Sequence, residues 1–349
     1  MGTMNLVSHS DDDPVRAAAA RAADFGAWAE RAGLGPVTIE LLQQHVRSLA
    51  HDCLRQPPAE AALKAAYLAD HVYGLIRETH RPGHAKQLYS IASQISGILA
   101  WLSGDLGQLD AAVLQARTAW ACAELAEDPA TSAWACVVSS KTALWRGDLV
   151  GAADFARRGA GIRAPGTAAV MLACQQADAL SRLGATDETR SALRDALDAA
   201  DRPRSTDAVG GLLECGPVRR LNYFSSALLE IGEPEEALAE AEAALELCGG
   251  EQHIGFGTIA QIHITRGMAL TRAGRVDAAA AALRPVLDLP TTRRLATLTN
   301  RLAELPASLV GRRLQGREAQ PLADEIIEFC SRPAAAPALP AIASEEEVP

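Results

Sequence analysis

Aromatic residues make up only 4% of this 349-residue chain, and no stretch alternates β-branched and aromatic side chains between turn residues. That alternation is what a half-buried strand requires, so a sheet-based fold is excluded. No apolar run approaches the roughly 18–20 residues needed to cross a bilayer, and no basic segment followed by an apolar core opens the chain. A cytoplasmic protein without membrane contact is expected. Seven cysteines stand singly, never as CxxC pairs, which argues against both a disulfide scaffold and a paired-thiol zinc site. They read as small buried apolar residues in a reducing compartment.

Catalytic signatures are also missing. The chain has no glycine-rich phosphate loop ending in Lys-Ser/Thr, no HExxH, no GxSxG and no calcium-binding loop, so neither cofactor nor metal is expected. His80 and His84 straddle Pro82-Gly83, and His51-Asp52-Cys53 is consecutive, so its side chains diverge around a helix. The net charge of -10 repels polyphosphate, and the pairs Arg219-Arg220, Arg293-Arg294 and Arg312-Arg313 are too scattered to form a basic stripe. Direct nucleic-acid binding is therefore not expected.

What the chain does have is alanine and a recurring corner. The stretch LGQLDAA, Leu106 to Ala112, places a glycine five residues before a small residue, and the same spacing returns at Gly147/Ala152, Gly184/Thr189, Gly232/Ala237 and Gly274/Ala279. Seven residues before each glycine stands another small residue: Ala100, Ser140, Ala177, Ser225 and Gly267. A glycine ending one helix, flanked by small residues where two helices cross, is the mark of a helical hairpin, and its repetition marks an array. The glycines are 40, 37, 48 and 42 residues apart, longer than the ~34 of a standard tetratricopeptide unit.

The fold expected is all-α: a tetratricopeptide-like superhelical array of helical hairpins with a three-helix N-terminal leader. Residues 1–12 are expected to be flexible, 13–83 to form the leader, 84–330 the repeats with a C-terminal cap, and 331–349 a disordered tail. The longest interval holds DRPRSTDAVGGLLECGP, 201–217, which reads as an inter-repeat loop over the surface. A helix is expected from Thr291 to about Leu305, and another over about 317–329.

In such an array the first helix of every hairpin lines the concave groove. Counting back from each turn glycine places Gln94, Trp101, Trp134, Lys141 and Trp145 there, then Asp178 and Arg182, then Arg219, Asn222 and Ser226, and lastly Gln261. The tryptophans offer a stacking wall and the polar groups directed contacts. The alternative is that the tryptophans pack between repeats and the charges are solvated.

The segments PVTIELLQQHVRSLAHDCL, LYSIASQISGILAWLSGDLGQLDAA, ARTAWACAELAEDPATSAWACVVSSKTALW and PGTAAVMLACQQADALSRLGA resemble, in order, the tetratricopeptide-like C-terminal region of actinobacterial helix-turn-helix transcriptional regulators. The resemblance covers roughly 14–331 and implies a module that senses a ligand or partner. Only about a dozen residues precede the first expected helix, so the DNA-binding part of that family is expected to be lacking here. Three functions stay open. The first is a non-enzymatic regulator, sensor or adaptor holding a peptide, a partner segment or a small metabolite in the groove. The second is an enzyme using groove Asp, Glu, Lys or His groups. The third is an oligomerisation scaffold, with a homodimer as one form.

Overall fold

In this computed structural model the described residues are 14–29, 35–79, 82–202, 207–249, 254–311 and 319–335. The expected flexible segment 1–12 lies outside them, as does the tail from 336 on. Ala334, in the first part of that expected tail, is buried, and its backbone N–H donates to the Arg294 carbonyl at 2.8 Å.

Prolines set many of the helix starts. α2 (Pro36–Asp52), α3 (Pro58–Glu78), α4 (Pro82–Asp105), α6 (Pro129–Trp145), α10 (Pro217–Glu230) and α11 (Pro234–Cys248) each begin on one, where the missing N–H costs no hydrogen bond. Ahead of them comes α1 (Pro14–Ala29). The remaining hairpin helices are α5 (Leu109–Ala126), α7 (Leu149–Ala160), α8 (Ala168–Arg182), α9 (Thr186–Asp201), α12 (Phe256–Arg272) and α13 (Val276–Leu287). Three short helices follow: α14 (Ala296–Leu302), α15 (Leu305–Gly311) and α16 (Ala319–Cys330).

The five corner glycines close α4, α6, α8, α10 and α12 with φ of +74° at Gly107, +80° at Gly147, +75° at Gly184, +89° at Gly232 and +74° at Gly274. The residue after each glycine donates its N–H to the carbonyl five positions back, as Gln108 does to Ser103 and Asp148 to Ala143. A left-handed glycine followed by that bond is the Schellman stop. The small residues flanking the corners are sealed in: Ala100, Ala112, Ala152, Ala177, Ala237 and Ala279 are fully buried. At Gly267 a Cβ would come within 2.6 Å of the Leu283 side chain.

These corners pair α4 with α5, α6 with α7, α8 with α9, α10 with α11 and α12 with α13, and the first helices α4, α6, α8, α10 and α12 pack consecutively. α14 then packs on α12 and also on α4. The row of six first-layer helices therefore closes into a ring. α2 and α3 pack outside it on α4. Two hydrogen bonds join this N-terminal pair to later parts of the chain: Phe256 N–H donates to the Leu54 carbonyl at 3.2 Å, and the Arg293 guanidinium to the Arg55 carbonyl at 3.0 Å.

Two expectations are corrected. The helix expected over 291–305 is broken: Thr291–Arg293 is a single 3-10 turn and Leu295 is extended at φ -55°, ψ 141°. Leu295 is 5% exposed, so the extended residue drives an apolar side chain into the core. The loop expected over the surface turns inward instead. Leu212 and Leu213 are buried, and Leu212 N–H donates to the Ala50 carbonyl of α2 at 3.0 Å. Gly211 permits this approach, because a Cβ there would sit 2.7 Å from the Ala50 carbonyl group. Among the described residues no helix is long and apolar enough to cross a membrane.

Candidate functional site

The inside of the ring receives side chains at helical spacing from every first-layer helix. Trp101 and Asp105 of α4 lie four apart, as do Lys141 and Trp145 of α6 and Asp178 and Arg182 of α8. α10 contributes Asn222, Tyr223 and Ser226, α12 Gln261, and α14 Thr297, Asn300 and Arg301. Residues three or four apart share one helix face, so each helix presents a short polar edge to the interior and keeps its apolar stripe for packing.

Two adjoining chambers result, sharing Lys141, Trp145, Asn222, Tyr223 and Gln261 in their walls. The first, of about 60 Å³, is bounded by Trp101, Asp105, Arg219 and Phe256 and reaches the α2–α3 corner at Cys53 and Leu54. The second, of about 150 Å³, is bounded by Leu144, Asp178, Arg182, Ser226, Asn300, Arg301 and Glu304. Trp101 and Trp145 meet edge to face with ring centroids 5.6 Å apart, and Gly104 leaves the space Trp145 occupies, since a Cβ there would lie 2.1 Å from its ring.

Charge is concentrated on these walls. Asp178, 3% exposed, faces two cations: the Arg182 Nε at 3.1 Å and the Lys141 Nζ at 3.6 Å. Lys141 is 8% exposed and also stands 5.0 Å from the Tyr223 ring and 5.8 Å from that of Trp145. Burial lowers its ammonium pKa and Asp178 restores part of it. For Asp178 burial pushes the carboxyl up, but Arg182, Lys141 and Arg301 more than offset that and hold it below the usual carboxylate range. Asp105 goes the other way. Burial raises it to about 7, against the Thr297 hydrogen bond and the charges of Lys141 and Arg219.

The second chamber also holds polar atoms with no partner. The Nε and Nη2 of Arg301, the Asn222 Oδ1 and the Ser226 Oγ are closed to solvent and unbonded. Burial lowers the Arg301 pKa, helped by the neighbouring Arg182 charge. Two closed-off guanidinium nitrogens without an acceptor are costly enough that their persistence asks for a reason.

Of the residues expected in the groove, Trp101, Lys141, Trp145, Asp178, Arg182, Arg219, Asn222, Ser226 and Gln261 are brought together on these two walls. Arg219 is committed to the fold: its Nη1 donates to the carbonyls of Leu212 at 2.8 Å and Glu214 at 2.6 Å, holding the inward loop. Asn222 Nδ2 donates to Gln261 Oε1 at 3.2 Å. Trp134 lines neither chamber: it shares the face of α6 that carries Lys141 but lies two turns earlier, where it is 9% exposed in the core that α6 shares with α8 and α10. Gln94 lines neither chamber, lying two turns before Trp101 on α4.

Asp105, Tyr223, Phe256, Thr297 and Arg301 were missed by counting. Asp105 and Tyr223 lie one helical turn or one residue from counted positions, so reading the whole inner edge would have found them. Arg301 and Thr297 lie beyond the last corner glycine, where the ruler gives no register. No protein-family model matches the chain, and no curated protein shows significant similarity to it. The chemistry of the two chambers must stand alone.

Proposed function

We propose that this is a helical-repeat binding protein that holds a small metabolite inside its ring. The reading keeps the tetratricopeptide-like sensor module implied by the resemblance to the actinobacterial regulators, and among the occupants considered it selects the small molecule over a peptide or partner segment. One observation carries that choice: α14 packs back on α4, leaving chambers of about 60 and 150 Å³ in place of a continuous groove. A volume near 150 Å³ is what an engineered cavity needs to take one benzene-sized molecule, and an extended peptide needs far more. The work of such a protein in a reducing cytoplasm fits its seven cysteines, none of them in a disulfide.

Native mass spectrometry of freshly purified protein tests the reading, with metabolite-extract titration where no ligand is retained. The expected result is a bound mass of small-molecule size that disappears in Ser226→Leu, which fills the second chamber. A complex only with peptides or proteins, or an adduct that survives Ser226→Leu, would sink it.

Catalysis is the second reading, favoured by Asp105. A carboxyl raised to about 7 exchanges its proton near neutrality, as a general acid or base must, and it lines the same interior as Lys141. Turnover of the retained molecule, lost in Asp105→Asn with binding intact, would establish it.

A further inference from the structure

We infer that the second chamber is the seat of a small organic carboxylate, a monoanion about the size of a substituted benzene ring, bound through Arg301. This rests on the reading of the ring interior as a small-molecule site and adds the chemical class of what fills it. Three cations, Lys141, Arg182 and Arg301, stand on the chamber wall. Asp178 accounts for two of them by direct ion pairs, at 3.6 and 3.1 Å. Arg301 has no ion pair among the described residues, and its Nε and Nη2 lack any hydrogen bond. Asp178, Glu230 and Glu304 act on Arg301 only through space, Asp178 most strongly, and the two glutamates act on Arg182 in the same way.

A guanidinium in this position is a planar donor fork without its acceptor, and the group that matches it in shape and charge is a carboxylate. The nearby carboxylates limit how much negative charge the chamber tolerates, which favours one unit over the two of a phosphate. Trp145, Tyr223 and Leu144 give the body of such a carboxylate an apolar wall. The Asp178 pairs on one side and the closure of α14 on the other hold this wall in place, so Arg301 is kept as part of a preorganised receptor.

The test is calorimetric titration of the full chain with benzoate, phenylacetate and cyclohexanecarboxylate, each beside its primary amide, and with inorganic phosphate. The expected result is at least one acid bound tenfold or more tightly than its amide, a preference lost in Arg301→Met and partly kept in Arg301→Lys. Ligand-free Arg301→Met should melt at or above the wild-type temperature, since two closed-off donors without an acceptor have been removed; a lower melting temperature would show Arg301 to be a structural group and overturn the inference. Amides binding as well as acids, or an acid preference that survives Arg301→Met, would overturn it while leaving the small-molecule reading intact. Phosphate binding more tightly than every acid in an Arg301-dependent way would replace the carboxylate by a bare anion site. Failure of all acids and amides to bind would overturn both readings.

Discussion

Thr297 Oγ1 donates a hydrogen bond to Asp105 Oδ1 at 2.9 Å across 192 residues of sequence. It ties α14 to the end of α4 and is the side-chain link at the point where the ring closes. Because burial raises Asp105 to about 7, the folded protein holds a proton there that the unfolded chain, with an ordinary carboxyl near 3.8, has lost.

The sign of the resulting pH dependence follows. For a carboxyl raised on folding, the native state binds more protons than the unfolded state between the two pKa values, so stability falls as pH rises from about 4 to about 7. Wild-type melting temperature should therefore decline across that window, and Asp105→Asn, which cannot ionise, should flatten the decline and melt higher at pH 8. Parallel wild-type and Asp105→Asn curves would show that Asp105 is not the group responsible.

Gly104 and Gly147 separate two kinds of strain. Gly104→Ala forces a Cβ to within 2.1 Å of the Trp145 ring, an overpacking expected to cost about 1–3 kcal/mol and to shift tryptophan emission. Gly147→Ala meets nothing within 4 Å but must hold φ at +80°, so its cost should be only the left-handed backbone term of about 1–2 kcal/mol, with emission unchanged. Urea denaturation with fluorescence reads both.

Asp178 is the charge on which the interior depends. Asp178→Ala leaves the buried Lys141 without its carboxylate and removes the partner of the more exposed Arg182, and should destabilise by about 3–5 kcal/mol. Lys141→Met should cost much less, because Asp178 keeps Arg182 at 3.1 Å and a methionine fills the space beside Tyr223. Equal losses in the two variants would contradict this ordering.

Trp134 and Trp145 should part company in a binding assay. Trp134→Ala removes a core side chain that is 9% exposed and should lower stability by about 3–5 kcal/mol without changing the affinity of any molecule found in the ring. Trp145→Ala should weaken that affinity, since Trp145 lines both chambers. An affinity loss in Trp134→Ala at temperatures where it is fully folded would return Trp134 to the site.

The hairpins were legible because their physics is local. A left-handed residue favours glycine and a close helix crossing needs a small side chain, so Gly107 with Ala100 and Ala112 declares a corner without reference to the rest of the chain. That register also placed Lys141, Trp145, Asp178, Arg182 and Asn222 on inner edges. It did not separate Trp134 from them, because Trp134 shares a face of α6 with Lys141 two turns away, and only the neighbouring helices decide where along that face packing gives way to the interior.

The loop of 201–217 and the broken helix after Pro290 were read wrongly for a related reason: glycine and leucine there serve contacts with Ala50 and the distant core, and nothing adjacent in sequence reveals them. By itself, then, the sequence determined the helices, their corners and the pairing of each helix with the next, since these follow from backbone conformation and side-chain volume over a few residues. Only the tertiary structure decided that the row closes, bringing Thr297 to Asp105 and Arg301 to Asp178. Closure depends on the summed small rotations of five hairpins, and no single residue encodes that sum.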